Sequence, residues 1–211
     1  EDYLVASLLL KGLTVEMLIN RVYQLQAGQM ILVHAAAGGV GRLLVQWAKA
    51  RGAIVYGTAG TAEKMRIAED AGCDGVIPYR QKDFAEEVLR LTNGRGVDVV
   101  YDSVGHDTFE GSLRCLAKFG RLVNFGQSSG SIPAFEISRL AAGSFSIVRP
   151  IIFHYLDVIG QREEMARCFF EAFEQGAISA EIGTAYPLAE VGAAHSALEG
   201  RSDKAPFILI P

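Results

Sequence analysis

A glycine-rich stretch lies between a short apolar segment and an amphipathic one, and its residue types suit contact with a phosphate group. Glycine loses conformational entropy on folding, so a run of it indicates a place where bare backbone is needed. Residues 36–41 read Ala-Ala-Gly-Gly-Val-Gly and match the G-x-G-x-x-G pattern with alanine in place of the first glycine. In that pattern Gly38 allows a pyrophosphate to approach, and Gly41 allows the helix to pack on the strand. We therefore predict a dinucleotide at this turn.

The residues after the second apolar segment indicate which dinucleotide is bound. A site for NAD places an acid about 20 residues beyond the glycines, where it bonds the ribose 2′-hydroxyl. Thr58-Ala59-Gly60-Thr61 occupies that place and contains no acid. Lys64 follows one helical turn later, with Arg66 close by, and a lysine there would form a charge-assisted bond to a 2′-phosphate. The pattern predicts NADPH.

Strand-like and helix-like segments alternate along most of the chain. The candidate strands are nearly continuous apolar runs, which is typical of strands buried on both faces of a parallel sheet. We predict an α/β fold, a doubly wound, mostly parallel six-stranded Rossmann sheet preceded by two helices, Leu4–Leu10 and Thr14–Tyr23, with Thr14 as N-cap of the second. The six predicted strands are Met30–His34, Ala53–Thr58, Gly75–Pro78, Val97–Asp102, Arg121–Phe125 and Ser144–Val148.

Composition excludes several other classes. The net charge of −4 gives no electrostatic footprint for nucleic acid, and no apolar run reaches the length of a membrane span. The three cysteines and four histidines show no metal-ligand spacing, so we predict no metal site. The same cysteine pattern fits free thiols in a reducing compartment, and we expect the cytoplasm.

Several sequence segments, spread over nearly the whole chain, resemble the motifs of one protein family. They are LKGLTVEMLI, VHAAAGGVGRLLVQWAKARGA, YGTAGTAEKMRIAEDAGCDGVIPYR, GVDVVYDSVG, RLVNFGQSSG and ALEGRSDKAPFILIP. On these motifs the chain resembles the zinc-independent quinone oxidoreductases of the medium-chain dehydrogenase/reductase superfamily. The resemblance implies hydride transfer from NADPH to a quinone. It also implies the cofactor contacts Thr14, Gly38, Gly39, Val40, Gly41, Gly60, Lys64, Tyr79, Ser103, Phe125, Gly126 and Arg201.

The resemblance also predicts how the chain is organised. Residues 1–179 would form the dinucleotide-binding domain, and residues 180–211 would return toward a GroES-like substrate domain that in the family precedes Tyr3. We therefore expect the chain to be part of a longer enzyme. No catalytic side chain is predicted, since water can protonate a reduced quinone. An enoyl-thioester or enone reductase, and a non-enzymatic NADPH-binding module, remain alternatives.

A hydrolase is a further alternative, because Gly126 to Gly130 matches the G-x-S-x-G pattern around Ser128. A nucleophile elbow requires strand, serine and then helix, and Pro133 disfavours an immediate helix here.

The sixth predicted strand, Ser144–Val148, carries no lysine, proline or inward charge to protect an outer sheet edge. We predict a homodimer in which this strand pairs with its copy.

Overall fold

A six-stranded parallel sheet forms the body of the structure, a computed structural model that describes residues 2–179, 184–200 and 207–211. Its strands are β1 (Met30–Val33), β2 (Ile54–Ala59), β3 (Gly75–Pro78), β4 (Val97–Asp102), β5 (Leu116–Asn124) and β6 (Ser146–Val148). The helices are α1 (Asp2–Glu16), α2 (Gly39–Ala50), α3 (Ala62–Asp70), α4 (Phe84–Leu91), α5 (Phe109–Arg114), α6 (Ile152–Leu156), α7 (Gln161–Glu174) and α8 (Val191–Gly200).

The strand order is β3-β2-β1-β4-β5-β6, and every neighbouring pair is parallel. Successive side chains enter two core layers because strand residues alternate between faces. Val33, Val99 and Val123 pack in the layer under α1, α2 and α7. Leu32 and Leu122 pack in the opposite layer, under α4 and α5. The predicted doubly wound α/β fold is therefore confirmed, and the strand order reverses between β1 and β4.

The first helices differ from the prediction. A single helix runs from Asp2 to Glu16 and continues as a π-helical turn over Met17–Val22, so Thr14 is not an N-cap. Its hydroxyl instead donates to the Leu10 carbonyl, 2.7 Å away. The predicted gap between the two helices contains Gly12, and this glycine serves close packing: a Cβ atom there would lie 2.1 Å from the Phe169 ring of α7.

The sixth strand is shorter than predicted. It begins at Ser146, because Ser144 has a φ of +53° and turns the chain before the strand starts. The strand lies at the outer edge of the sheet, beside β5.

A second, two-stranded parallel sheet pairs β7 (Ala185–Pro187) with β8 (Ile208–Ile210). Among the described helices, none combines the length and the apolar character that crossing a membrane would require.

Candidate dinucleotide-binding site

The glycine turn connects the carboxyl end of β1 with the start of α2. Gly38 is the N-cap of α2 and provides no side chain to bond the first N–H groups of the helix. These groups have no partner within a helix, so they are available to an anion. A Cβ atom at Gly41 would lie 2.3 Å from the Ala35 carbonyl oxygen, whereas one at Gly38 would lie 3.1 Å from it. Gly41 is therefore required for packing, whereas the exposed backbone of Gly38 and Gly39 forms a cradle at the start of α2.

Hydrogen bonds to Thr58 of β2 fix the turn. The Ala36 N–H donates to the Thr58 carbonyl at 3.1 Å, and the Ala35 N–H donates to the Thr58 hydroxyl at 3.3 Å. Ala35 has a φ of +51°, a left-handed conformation that is uncommon for a residue with a side chain. These two bonds offset the cost of that conformation and keep the turn in one shape.

A buried histidine links this turn to the other half of the sheet. His34 Nδ1 lies 3.1 Å from the Thr58 hydroxyl, and its Nε2 lies 3.0 Å from the Ser112 hydroxyl on α5. Burial lowers the pKa of His34 to about 4, against the opposing effect of the nearby Asp102 carboxylate. The imidazole is therefore neutral at neutral pH, and it bridges two hydroxyls. The sequence analysis did not identify this role, since Thr58 and Ser112 are distant along the chain.

A second group of predicted residues meets beyond the end of β2. A Cβ atom at Gly60 would lie 2.9 Å from the Tyr79 hydroxyl and 3.2 Å from Nε of Arg80. Tyr79 is about half exposed, and Lys64 is exposed in the first turn of α3. Lys64 donates its backbone N–H to Thr61, the N-cap of that helix. The structure thus brings Gly60 and Tyr79 together and adds Arg80, which the sequence analysis missed although it follows Tyr79 directly.

The third group lies where β4 and β5 end. A Cβ atom at Gly126 would lie 2.7 Å from the Ser103 carbonyl oxygen, so the two loops touch through bare backbone. The Phe125 N–H donates to the Asp102 carbonyl at 2.8 Å, and the Phe125 ring packs against the layer under α1 and α2. Ser103, Phe125 and Gly126 therefore form one surface at the carboxyl edge of the sheet.

The Asp102 carboxylate holds the loop that contains Ser103. Its Oδ1 accepts from the Val104 N–H at 2.7 Å and from the Gly105 N–H at 3.1 Å, and both of its oxygens accept from the Thr108 hydroxyl. In the next strand, Oδ1 of Asn124 is buried without a hydrogen-bond partner among the described residues.

Two predicted contacts stand apart from these groups. Thr14 lies on α1 one turn beyond Lys11, whose side chain borders Gly39, and the Thr14 hydroxyl bonds the Leu10 carbonyl within α1. Lys11 is a basic group that the sequence analysis missed, because nothing in its local pattern indicates contact with α2. Arg201 lies outside the described residues.

The loop after β5 does not form a nucleophile elbow. No helix follows Ser128 directly: the next helical segment is a short 3₁₀ turn at Ile137–Ala142. The neighbouring Ser129 hydroxyl donates to the Val104 carbonyl and accepts from the Asp107 N–H. The G-x-S-x-G match therefore belongs to a loop that packs on the end of β4.

The structure also contains a cavity of about 520 Å³ between the π-helical turn, the last turn of α2 and α7. It lies at the end of α2 opposite the glycine turn. In its lining, Arg21 pairs with Glu16 and Glu164, and Arg51 bonds Asn20. The cavity is therefore separate from the predicted dinucleotide site.

Comparison with known proteins identifies the family. The sequence profile of the zinc-binding dehydrogenase family matches residues 39–171, so the chain belongs to that family. In the part of the chain that the structure describes, no group of three or more His, Cys, Asp or Glu residues could hold a metal ion.

The chain is similar to several characterised relatives. It is 39% identical over 213 residues to the 2-haloacrylate reductase of a Burkholderia species. It is 41% identical over 209 residues to quinone oxidoreductase 1 of Escherichia coli, with 98% of this chain covered. The chain spans about 64% of the length of each of these two relatives.

A solved structure of the Escherichia coli quinone oxidoreductase complexed with NADPH matches with a TM-score of 0.88 and 41% identity. The match covers 95% of this chain and 63% of that one. The resemblance to quinone oxidoreductases is confirmed by these matches.

Proposed function

We propose that this chain binds NADPH and is the nucleotide-binding part of an oxidoreductase that transfers a hydride from NADPH to a quinone. The observation that carries the proposal is the uncapped start of α2 at Gly38, placed where the strand order reverses between β1 and β4. Ligands of open α/β sheets bind at that point, outside the carboxyl ends of the strands. The NADPH complex of the Escherichia coli relative supports the choice of cofactor.

The three residue groups suit the three parts of the cofactor. The backbone of Gly38, Gly39, Val40 and Gly41 would hold the pyrophosphate. Tyr79 and Arg80, which border Gly60, and Lys64 in the first turn of α3 would hold the 2′-phosphate. The surface at the ends of β4 and β5 would hold the nicotinamide, and Thr14 remains a proposed contact from the resemblance. Arg201 remains a proposed contact on the resemblance alone.

Bound NADPH would supply the hydride. The chain itself would orient the cofactor and cover one side of the nicotinamide with Phe125 and the backbone of Ser103 and Gly126. A quinone accepts a hydride readily and then takes a proton from water, so we assign no catalytic side chain. The three groups of contacts are therefore positioning and binding residues.

Two measurements test this proposal. The purified chain is titrated with NADPH and with NADH by fluorescence, and we expect clear preference for NADPH; equal affinity for both would contradict the cofactor assignment. NADPH oxidation is then followed with 1,4-benzoquinone, using this chain and any longer product of the same gene. Binding of NADPH without oxidation by either protein would favour a non-enzymatic binding module.

A conjugated enone is the second candidate acceptor. The 39% identical relative is named for 2-haloacrylate, in which a double bond is conjugated to a carboxylate. The cofactor half described here would serve either acceptor, because both receive a hydride from the nicotinamide of NADPH. Parallel assays with 1,4-benzoquinone, 2-chloroacrylate and an enoyl thioester distinguish them, and the acceptor with the highest kcat/KM identifies the reaction class.

We also propose a homodimer formed through β6. This strand lies at the outer edge of the sheet and presents no charged side chain there, and pairing with a second copy would satisfy its free backbone groups. Light scattering after size exclusion should give twice the chain mass of 22.8 kDa. Ile147→Lys should shift the protein toward monomer, whereas Leu188→Lys, the same change in charge at an exposed site outside this sheet, should not.

The side chain of Ile147 also packs against the layer under α4 and α5, so thermal unfolding of the variant is measured alongside its mass. A monomeric parent at micromolar concentration refutes the dimer. A folded Ile147→Lys variant that remains a dimer places the interface elsewhere.

The proposal also covers the role of residues 180–211 and the location of the protein in the cell. We infer that residues 180–211 return toward a second, substrate-side domain, supported by the separate sheet of β7 and β8. We infer a cytoplasmic location, supported by three cysteines that are all free thiols, Cys73, Cys115 and Cys168.

A further inference from the structure

The ammonium group of Lys11 lies beside the glycine turn. A Cβ atom added to Gly39 would lie 3.1 Å from Cε of Lys11 and 3.5 Å from its Nζ. Lys11 belongs to α1, so its side chain reaches the first residue of α2 from a separate element. Nζ donates to the Ser7 carbonyl oxygen at 3.1 Å, one turn back along α1.

This position is electrostatically unfavourable for a cation. The N-terminus of a helix carries a partial positive charge, which repels cations and attracts anions. Arg42, in the first turn of α2, adds a second positive charge near Lys11. Burial and then the field of Arg42 lower the pKa of Lys11. Within the described ranges, the Lys11 ammonium forms no ion pair with a carboxylate, and its hydrogen bond to Ser7 is to a neutral carbonyl.

We propose that Lys11 is a cofactor-binding residue whose ammonium contacts the pyrophosphate from the side opposite the glycine backbone. The inference rests on the proposed NADPH site. Two phosphate charges between Lys11 and the start of α2 would attract both the Lys11 ammonium and the helix N-terminus, which repel each other when no anion is bound. A lysine suits this place because its flexible stem can move Nζ from Ser7 to a phosphate oxygen. The pyrophosphate would then be held between α1 and α2.

The test compares two ligands that differ in the pyrophosphate. NADPH contains both the 2′-phosphate and the pyrophosphate, whereas adenosine 2′-monophosphate contains only the former. We expect Lys11→Met to weaken NADPH binding tenfold or more and to change adenosine 2′-monophosphate binding less than twofold. The NADPH affinity of the parent should also fall more steeply with added NaCl than that of the variant, because one charge pair has been removed.

The unliganded proteins give an independent readout. Removing the cation beside the N-terminus of α2 should leave the melting temperature of unliganded Lys11→Met equal to or above that of the parent, while the shift caused by NADPH becomes smaller. Lys11→Arg should retain NADPH affinity to within about threefold, since the charge stays. Lys118→Met is the matched control: this lysine is exposed near the start of β5, and its removal should change neither ligand's affinity.

The outcomes separate this inference from the proposed function. If the parent binds neither NADPH nor adenosine 2′-monophosphate, the proposed cofactor site itself is wrong. If the parent binds both and Lys11→Met binds NADPH as the parent does, the role of Lys11 is overturned. Equal loss of affinity for NADPH and for adenosine 2′-monophosphate would also overturn it. A contact to the pyrophosphate affects only NADPH, whereas a general structural defect weakens the binding of both ligands.

Discussion

His34 and Thr58 form a direct contact beneath the glycine turn, with 3.1 Å between Nδ1 of the imidazole and the hydroxyl oxygen. The same hydroxyl accepts the N–H of Ala35, the first residue of the turn. Because Nε2 contacts Ser112 on α5, the imidazole joins the half of the sheet that would hold the pyrophosphate to the half that would hold the nicotinamide. Its protonation state therefore matters to the whole site.

We expect stability to fall at mildly acidic pH because of His34. Its folded-state pKa of about 4 lies below the ordinary value of 6.5, so the unfolded chain takes up a proton first as pH decreases. The stability that comes from a neutral His34 is complete above about pH 6.5 and is lost as pH falls toward 4; the loss is roughly 3 kcal/mol by the pKa difference.

Urea unfolding at pH 7, 6 and 5 measures this loss. The parent should lose more unfolding free energy than His34→Gln, which cannot take up that proton. His154→Gln, at an exposed histidine, should follow the parent. A parent and a His34→Gln variant with parallel pH profiles would show that His34 does not contribute.

Lys64 is expected to determine preference for the 2′-phosphate. A charge-assisted bond contributes roughly 1.5–3 kcal/mol, so Lys64→Ala should weaken NADPH at least tenfold and leave NADH nearly unchanged. Fluorescence titration measures both affinities, with Lys118→Ala as an exposed lysine control. An unchanged NADPH affinity in Lys64→Ala would mean that Lys64 does not bind the 2′-phosphate. Arg80 would then be the residue that binds it, and Arg80→Ala should weaken NADPH binding.

The two glycines at positions 38 and 41 should respond differently to substitution. Gly41→Ala places a Cβ atom 2.3 Å from a carbonyl oxygen, so we expect unfolding free energy to fall by roughly 1–3 kcal/mol. Gly38→Ala meets its nearest atom at 3.1 Å and should remain folded. Gly38→Val should also keep the parent circular dichroism spectrum while losing NADPH, because its side chain fills the cradle. NADPH binding retained by Gly38→Val would mean that the pyrophosphate lies elsewhere.

Gly12 should tolerate a side chain only when Phe169 is replaced by a smaller residue. A Cβ atom there would overlap the Phe169 ring at 2.1 Å, so Gly12→Ala should lower the unfolding free energy by roughly 1–3 kcal/mol. A double-mutant cycle with Phe169→Leu, measured by urea unfolding, should show a favourable interaction between the two changes. If the two changes in unfolding free energy are strictly additive, α1 and α7 can move apart at this point without loss of stability.

The sheet and the glycine turn were predictable from sequence because each has a local cause. Strands buried on both faces read as continuous apolar runs, and the turn needs glycines at fixed spacing whatever surrounds it. Both features were confirmed, although β5 begins at Leu116 rather than at the predicted Arg121 and other strand ends differ by one or two residues. For example, the left-handed backbone conformation of Ser144 makes β6 begin at Ser146, two residues later than predicted.

The first helix was mispredicted because the function of Gly12 is non-local. A glycine between helix-like segments usually indicates a break, yet here it allows the Phe169 ring, far along the chain, to approach the backbone. Lys11 and His34 were missed for the same reason: Lys11 approaches Gly39 on α2, and His34 contacts Thr58 and Ser112 on other elements. Arg80 could have been found, since it directly follows Tyr79 and is basic.

The strand order also shapes how the chain emerges from the ribosome. β1 ends at Val33, but its partner on one side, β4, begins only at Val97. At roughly 5–20 residues per second, the apolar edge of β1 remains unpaired for several seconds of synthesis. A nascent chain of this kind therefore exposes Ile31 and Leu32 to other chains until β4 has been synthesised.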